Sequence, residues 1–480
     1  MSDSRHYSLR ILYKLNRKIN WQSKTTLFLT SLLVSLAGVY FLRDPSFSVT
    51  QDYVLFILFF SIGLWVTEAI PPFAVGILII GFLVFSLGSE EADNVKQYVQ
   101  TWSDSVIWLF LGGFFLAEGM KITHLDLTLL KKIAPKFGQQ AKYILLGLMM
   151  TTGILSMLMS NTATTAMMIA TITPILHQFG KQAAITKTLL IGIPTAAAVG
   201  GMGTIIGSAP NAIAVGALET AGVKISFITW MIIGIPVALV LILLFWKILL
   251  KKYDLKDQKL SLNFLSDEQL SIEKQEQQEN DVLSKRIMLI VLSVTLFFWL
   301  SSQWTGIPIA MVSAIPIVGL TMFGIVDSEG VRRLPWDTLM LVAGGLSLGL
   351  AVQQNQIADF FINMINTEDL NIYLLYLIFG LLTVILSNIM SNTATTTIMI
   401  PICIALVQIN NLGDVATLPL IIALSASCAL LLPVSTPPNA IAFSTGMLDQ
   451  SSFRVGGISL GIIGPIVSIL WVLALSLFLF

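Results

Sequence analysis

Long apolar runs recur from one end of the sequence to the other, and they limit what the chain can fold into more than any other feature. Leu27–Leu42, Phe73–Leu87, Ile228–Trp246, Ile287–Leu300, Leu418–Leu432 and Gly456–Phe480 are among them. A helix crossing a bilayer takes roughly 20 residues, and about eleven crossings of that kind can be counted along the chain. Several other apolar segments are too short or too interrupted to be simple spans. Backbone groups in lipid must be satisfied within their own segment, and the runs lack the alternation of a barrel strand, so helices are the expected spanning form. The fold class is read as all-α, a polytopic membrane protein. Composition agrees, with 55% hydrophobic and only 11% charged residues, where a soluble domain has about 25% charged.

Twenty-seven Lys and Arg balance twenty-seven Asp and Glu, so no basic surplus points to a nucleic-acid partner. Cys403 and Cys428 lie in apolar runs without CxxC spacing and read as core thiols, not a disulfide or a zinc site. Three histidines, His6, His124 and His177, give a metal catalyst little to work with. An enzyme and a resident cofactor are therefore not expected.

Residues 1–26 hold six cations (Arg5, Arg10, Lys14, Arg17, Lys18, Lys24) against one acid, Asp3. The positive-inside rule places this segment in the cytoplasm, ahead of a first helix that is retained and not cleaved. An odd number of crossings then puts the C-terminus outside, across a plasma or inner membrane. One hydrophilic stretch, 251–286, carries balanced charge and the glutamines Gln269, Gln275, Gln277 and Gln278. It reads as a cytoplasmic linker between a first repeat, 27–250, and a second, 287–480.

Comparison across that linker reveals a duplication. Met159-Ser160-Asn161-Thr162-Ala163-Thr164-Thr165 returns letter for letter as Met390-Ser391-Asn392-Thr393-Ala394-Thr395-Thr396, and Ser156 has its counterpart in Ser387. Gly112-Gly113 pairs with Gly344-Gly345, and Ser208-Ala209-Pro210-Asn211 with Thr436-Pro437-Pro438-Asn439. Lysines precede the first motif (Lys121, Lys131, Lys132, Lys136, Lys142), whereas 355–370 has Asp359, Glu368 and Asp369 and no Lys or Arg. Equivalent segments thus face opposite sides, so the two repeats have inverted topology. That arrangement sets binding sites near the midplane and is characteristic of transporters.

Each Ser-Asn-Thr triplet places neutral polar groups in apolar surroundings, where unmet groups are costly. Apolar sequence on both sides predicts two re-entrant hairpins meeting at these tips. The outgoing helix presents amides to an anion, and the incoming helix presents carbonyls to a cation. Hydroxyls and the Asn amide can donate to a carboxylate or offer oxygens to a hard cation. Gly200–Asn211 and Pro433–Asn439 interrupt apolar runs with Gly and Pro and read as unwound helices whose carbonyls suit sodium. Neither motif has a Lys or Arg beside it, which favours charge compensation by cations.

At these residues the sequence resembles the divalent-anion/sodium symporter family of di- and tricarboxylate transporters. The paired Ser-Asn-Thr motifs, the Pro-Asn stretches and Trp65-Val66-Thr67-Glu68-Ala69-Ile70-Pro71-Pro72 carry the resemblance over almost the whole chain. It implies a homodimer in which scaffold and transport domains, interleaved across both repeats, move by an elevator mechanism. It implies that Asn161, Thr162, Asn392 and Thr393 hydrogen-bond substrate carboxylates, with Ser160, Ser391, Thr436 and Pro437 close by. One sodium would sit among Ser156, Ser160, Asn161 and the Gly203–Gly207 backbone, a second among Ser387, Asn392, Thr395 and Ser435. The first loop reads Ser-Ala-Pro-Asn where many members have Thr-Pro-Pro-Asn. C4-dicarboxylates (succinate, malate, fumarate, then 2-oxoglutarate) are preferred over citrate on family prevalence, by sodium symport or, alternatively, sodium-independent exchange.

Three other readings compete. Gly345-Leu346-Ser347-Leu348-Gly349 fits a hydrolase nucleophile pattern, but it lies in an apolar helix with no histidine after His177. Polar hairpins could line a channel. Glu68, Glu118 and His177 suggest a proton relay, though each lies near a segment end, and Trp102, Trp108, Trp299, Trp304 and Trp336 fit an aromatic belt.

Overall fold

A computed structural model of the chain describes residues 2–88, 92–255, 278–357, 371–409 and 413–479. Most of the linker, with Gln269, Gln275 and Gln277, and the acids Asp359, Glu368 and Asp369 lie outside the described residues. The first half contains α1 (Ser2–Leu42), α2 (Val49–Thr67), α3 (Pro72–Leu87), α4 (Ala92–Gln100), α5 (Ser105–Ile122), α6 (Leu125–Ile133), α7 (Ala141–Ser156), α8 (Asn161–Phe179), α9 (Ala184–Gly200), α10 (Ala209–Thr220) and α11 (Phe227–Lys252). The second contains α12 (Gln278–Thr305), α13 (Ile309–Val312), α14 (Ala314–Met322), α15 (Ser328–Arg332), α16 (Trp336–Gln354), α17 (Ile372–Ile389), α18 (Asn392–Ile409), α19 (Thr417–Ala426), α20 (Pro437–Ser444) and α21 (Arg454–Leu479). Among the described residues the regular structure is all helical, as the apolar runs predict.

Nine described helical segments are long and apolar enough to cross a membrane, and five shorter apolar ones accompany them. One of the nine, α17, is an arm of a hairpin. Nine is fewer than the roughly eleven crossings counted from apolar runs, because α3, α13–α14 and α19 fall short of a full span's length. Local chemistry sets the ends of these helices. Ser48 and Gln51 close a capping box at the start of α2. Glu68 stops that helix in a left-handed conformation (φ 48°), and Pro71-Pro72 opens the next.

Apolar helices gain little from leaving lipid for each other, so close approach of small residues has to hold the bundle. The two glycine pairs do this in parallel ways. A side chain at Gly112 would strike Ser313, and one at Gly344 would strike the backbone of Gly76. Each pair thereby joins its own helix to the other half. The partner glycines look the opposite way, Gly113 onto Ile206 and Gly345 onto Thr397. A second set of contacts binds α7, α9 and α11 backbone to backbone, with Gly200 against Gly153 and Gly234 against the Met202 carbonyl.

Several sequence expectations resolve here. Trp299 is fully buried and stacks on Phe227 with ring centroids 5.2 Å apart, so it belongs to the α11–α12 contact and not to a lipid-facing belt. Trp304 and Trp108, 76% and 45% exposed, do face outward. Glu118 is buried, and its carboxylate accepts from Arg333 Nε at 3.0 Å while Lys121 lies 3.8 Å away, an ion pair tying α5 to the α15–α16 junction. Glu68 and His177 are exposed and belong to separate regions of the chain. Ser347 is buried mid-helix in α16 and donates to the Tyr98 carbonyl at 3.1 Å, which is packing geometry and not a nucleophile elbow. Both cysteines are free and buried.

Candidate functional site

At the first tip, α7 ends at Ser156 and a short turn leads to Ser160, whose backbone is extended (φ −64°, ψ 142°). The Ser160 hydroxyl accepts from the Ala163 amide at 3.2 Å, an N-cap for α8. Asn161 is therefore the first helical residue. Ser160 and Thr162 are exposed and Asn161 is half-buried.

The loop between α9 and α10 is unwound, as its Gly content predicts. Two short 3-10 turns, Gly201–Gly203 and Ile205–Gly207, flank an extended Thr204. Asn211 fixes this path, its Nδ2 donating to the carbonyls of Gly201 at 2.9 Å and Thr204 at 2.7 Å. Thr204 Oγ1 in turn donates to the Met157 carbonyl and ties loop to tip.

The end of the Asn161 side chain sits inside this framework. Ser156 Oγ, the Ala197 carbonyl and the Gly207 carbonyl stand 2.5, 3.0 and 3.2 Å from one terminal atom of its amide. With nitrogen inward, its two N–H groups have these three acceptors within reach. With oxygen inward, four oxygens converge, a donor set suited to a hard cation. Gly201 has to be glycine here, because a Cβ would fall 2.5 Å from Asn161 Oδ1 and 2.8 Å from the Gly207 carbonyl oxygen.

The second half repeats the plan with different parts. Ser391 Oγ accepts from the Ala394 amide at 3.1 Å and starts α18. Past Ala426 the helix stops, and the chain reaches α20 through Thr436, whose hydroxyl accepts from the Asn439 amide at 3.3 Å. Asn439 Nδ2 donates to the carbonyls of Leu430 at 3.2 Å and Leu432 at 3.1 Å. Asn388 has Met157 as its first-half counterpart and has no parallel there. Its Oδ1 accepts from the Leu431 amide and from Ser435 Oγ, both at 2.9 Å. Ser387 Oγ, Asn392 Oδ1 and Thr395 Oγ1 are buried without a hydrogen-bond partner. Unpartnered buried oxygens cost about 1–3 kcal/mol each, so a cluster of them points to a site for a ligand or ion.

The halves brace each other crosswise. Helix α10 packs on α18, and α20 packs on α8 and α9. Each unwound loop of one half thus leads straight into the helix that supports the other half's tip. Both tips open long helices whose positive ends attract anions. The segments 156–165, 201–211, 387–396 and 427–439 contain no Asp, Glu, His, Lys or Arg. The site's electrostatics consist of dipoles, hydroxyls and carbonyls.

Residues 62–427 match the family model described as "Citrate transporter". The chain belongs to this transporter family. It is also 30% identical to the sodium-dependent dicarboxylate transporter SdcS of Staphylococcus saprophyticus, over 95% of this chain and 92% of that one. An uncharacterized transporter of Haemophilus influenzae is 32% identical over 86% of this chain and 89% of its own length. SdcS of Staphylococcus aureus strain USA300 is 30% identical over 87% and 84%. The resemblance to the divalent-anion/sodium symporters accords with these relatives. Among solved structures, the YdaH transporter of Alcanivorax borkumensis shares the fold, with TM-score 0.54 and 11% identity over 85% of this chain and 98% of that one.

Most of the carriers' residues singled out in sequence come together around the two tips. Ser156, Asn161 and Gly207 meet at one point, with Ser160 as the adjoining cap. Gly203 instead packs on the Met157 side chain. Ser387, Asn392 and Thr395 share the unpartnered character described above, while Ser435 is engaged by Asn388. Thr393 is half-buried beside them, Thr436 is buried and Pro437 exposed. Sequence reasoning missed Ala197, which acts through backbone, and Asn388, while Gly201 lay in the glycine-rich break it had singled out, without its role. The clamps Asn211 and Asn439 were visible as the conclusion of the paired Pro-Asn motifs, without their role.

Proposed function

We propose that the protein is a secondary carrier of C4-dicarboxylates such as succinate, malate and fumarate, with 2-oxoglutarate a further substrate, driven by sodium symport. Asn161, Thr162, Asn392 and Thr393 hold the two carboxylates, helped by Ser160, Ser391 and the Thr436-Pro437 segment. Two tips give two carboxylate positions, which suits a dicarboxylate better than citrate. The relatives named for dicarboxylates extend over nearly the whole chain, which weighs in the same direction.

The observation that carries the reading is the pair of tips where helix N-termini adjoin clustered buried oxygens and no cationic side chain. Helix ends supply about half a charge each, too little for a dianion at membrane depth, and bound sodium offsets the remainder. Sodium is cargo here. One ion takes Ser156 Oγ, Asn161 Oδ1 and the Ala197 and Gly207 carbonyls; another takes Ser387, Asn392 and Thr395. Sodium held by Asn161 Oδ1 turns the amide nitrogen away from the ion, free to donate to a carboxylate. Ion and substrate binding thereby support one another. A homodimer in the plasma or inner membrane, N-terminus cytoplasmic and C-terminus outside, would alternate access by an elevator motion of the inverted repeats.

Radiolabelled succinate uptake into proteoliposomes tests this, with and without an inward sodium gradient and with and without internal succinate. Symport requires saturable uptake into empty vesicles that depends on the gradient. Uptake only into succinate-loaded vesicles, indifferent to sodium, would replace it with exchange, and flux that does not saturate would indicate a channel.

A further inference from the structure

Away from the tips, α1, α2 and α3 flank an open cleft of about 410 Å³ lined by Leu36, Val39, Tyr40, Tyr53, Phe56 and Phe82, with Arg43 and Asp52 at one end. That volume lies in the range of small-molecule sites. The cleft is graded along its length. Its charged end is where α1 stops and α2 begins, the level at which the chain turns back at the bilayer surface, and its apolar wall runs from there along the helices. A detached anion or a soluble metabolite would find no match for that wall.

The charged end has unused capacity. Arg43 Nη2 is 3.1 Å from Asp52 Oδ2, and the two side chains are 45% and 21% exposed. Asp52 Oδ1 is buried with no hydrogen-bond partner. A guanidinium has five N–H donors, so one contact with Asp52 leaves others for a phosphate. The site therefore presents donors for a phosphodiester beside a partly exposed carboxylate, above an aromatic and aliphatic slot.

We propose that this cleft binds one phospholipid with an ethanolamine head group. The phosphate lies on Arg43, the ammonium pairs with the exposed edge of the Asp52 carboxylate, and an acyl chain runs along Leu36, Val39, Phe56 and Phe82. A choline head has the same charge but no N–H to give Asp52, and a glycerol head has no cation to pair with it. The site lies apart from both tips and does not depend on what the carrier moves.

Native mass spectrometry of the full chain, exchanged into equimolar dioleoyl phosphatidylethanolamine, phosphatidylcholine and phosphatidylglycerol, provides the test. The chain should retain one phosphatidylethanolamine roughly tenfold more than either competitor, the scale of one charge-assisted hydrogen bond. Asp52→Asn should bring the three lipids within about twofold of each other, and Arg43→Gln should weaken all three. Should the variants fold poorly, the wild type decides alone. Retention should fall stepwise through the mono-, di- and trimethylated ethanolamine lipids as N–H donors are lost. Equal retention across that series, equal or better retention of phosphatidylglycerol, or an unchanged preference in Asp52→Asn would overturn the proposal.

Discussion

Around Asn161, every residue from Gly201 to Gly207 is buried, and Ser156 Oγ and the Asn161 amide satisfy one another, although Thr164 Oγ1, Thr165 Oγ1 and Asn211 Oδ1 are buried without a partner. Around Asn392, the matching loop comes partly to the surface, with Val434 80% exposed, while Ser387 Oγ and Asn392 Oδ1, the counterparts of that satisfied pair, lack partners. The two tips share seven consecutive residues, so their own sequence cannot cause the difference. It arises in what surrounds them: Thr204 and Gly207 in one loop are replaced by Leu432 and Ser435 in the other, and Met157 by Asn388. A half-site whose serine and asparagine already satisfy each other is preformed at that point. One whose serine and asparagine oxygens are both buried and unmet is stabilised by whatever fills it.

The largest expected effect breaks both halves and then separates them. Asn161→Ala and Asn392→Ala should each lower succinate uptake at least roughly 100-fold, since each takes a donor of about 1.5–3 kcal/mol from a charged substrate together with a cation ligand. Thermal unfolding in sodium-free detergent should tell them apart. Asn161→Ala should cost about 1–3 kcal/mol by stranding its partners, and Asn392→Ala much less. Equal losses of stability would erase the contrast; full uptake in both would remove the tips from the site.

Gly201→Ala comes next. Its new methyl has nowhere to go between Asn161 and Gly207, so uptake should fall at least tenfold, with about 1–3 kcal/mol of overpacking strain. The second half has Ala429 at the equivalent place, and Ala429→Gly should transport nearly normally.

What could be read from the sequence divides along a physical line. Helical spans, both hairpins, their caps and both breaks follow from apolar runs and from Ser, Gly and Pro placed at the right points, each a local signal. The cage around Asn161 was only partly legible, because Ala197 and Gly201 contribute carbonyl position and lack of bulk, and neither is written in a side chain. Asn388 stood one residue from the duplicated Ser387, yet comparison of repeats picks out what is shared and passes over what is unique. Trp299 sat near a segment end like the belt tryptophans, and only packing against Phe227 tells it apart.

Smaller effects sharpen the contrast. Asn211→Ala should destabilise by about 1–3 kcal/mol, and Asn439→Ala by less, because its bonds are longer and its loop is more exposed. Chemical denaturation of the two variants measures this, and a larger loss in Asn439→Ala would contradict the preformed first half. The mildest probe leaves function largely intact. Cys403 and Cys428 are fully buried, so a maleimide should label Val434→Cys quickly and Ile206→Cys hardly at all. Equal rates would show that the two loops do not differ in access.

The backbone contacts of Gly153 with Gly200, and of Gly234 with Met202, leave no gap in which one helix could slip past its neighbour. Helices that touch at the main chain have no bearing surface between them, so α7, α9 and α11 form one rigid unit that the proposed elevator motion would carry whole. A pair of spin labels on α7 and α11 should then keep a single fixed separation through the whole cycle. A label on either, measured against α1, should swing between two.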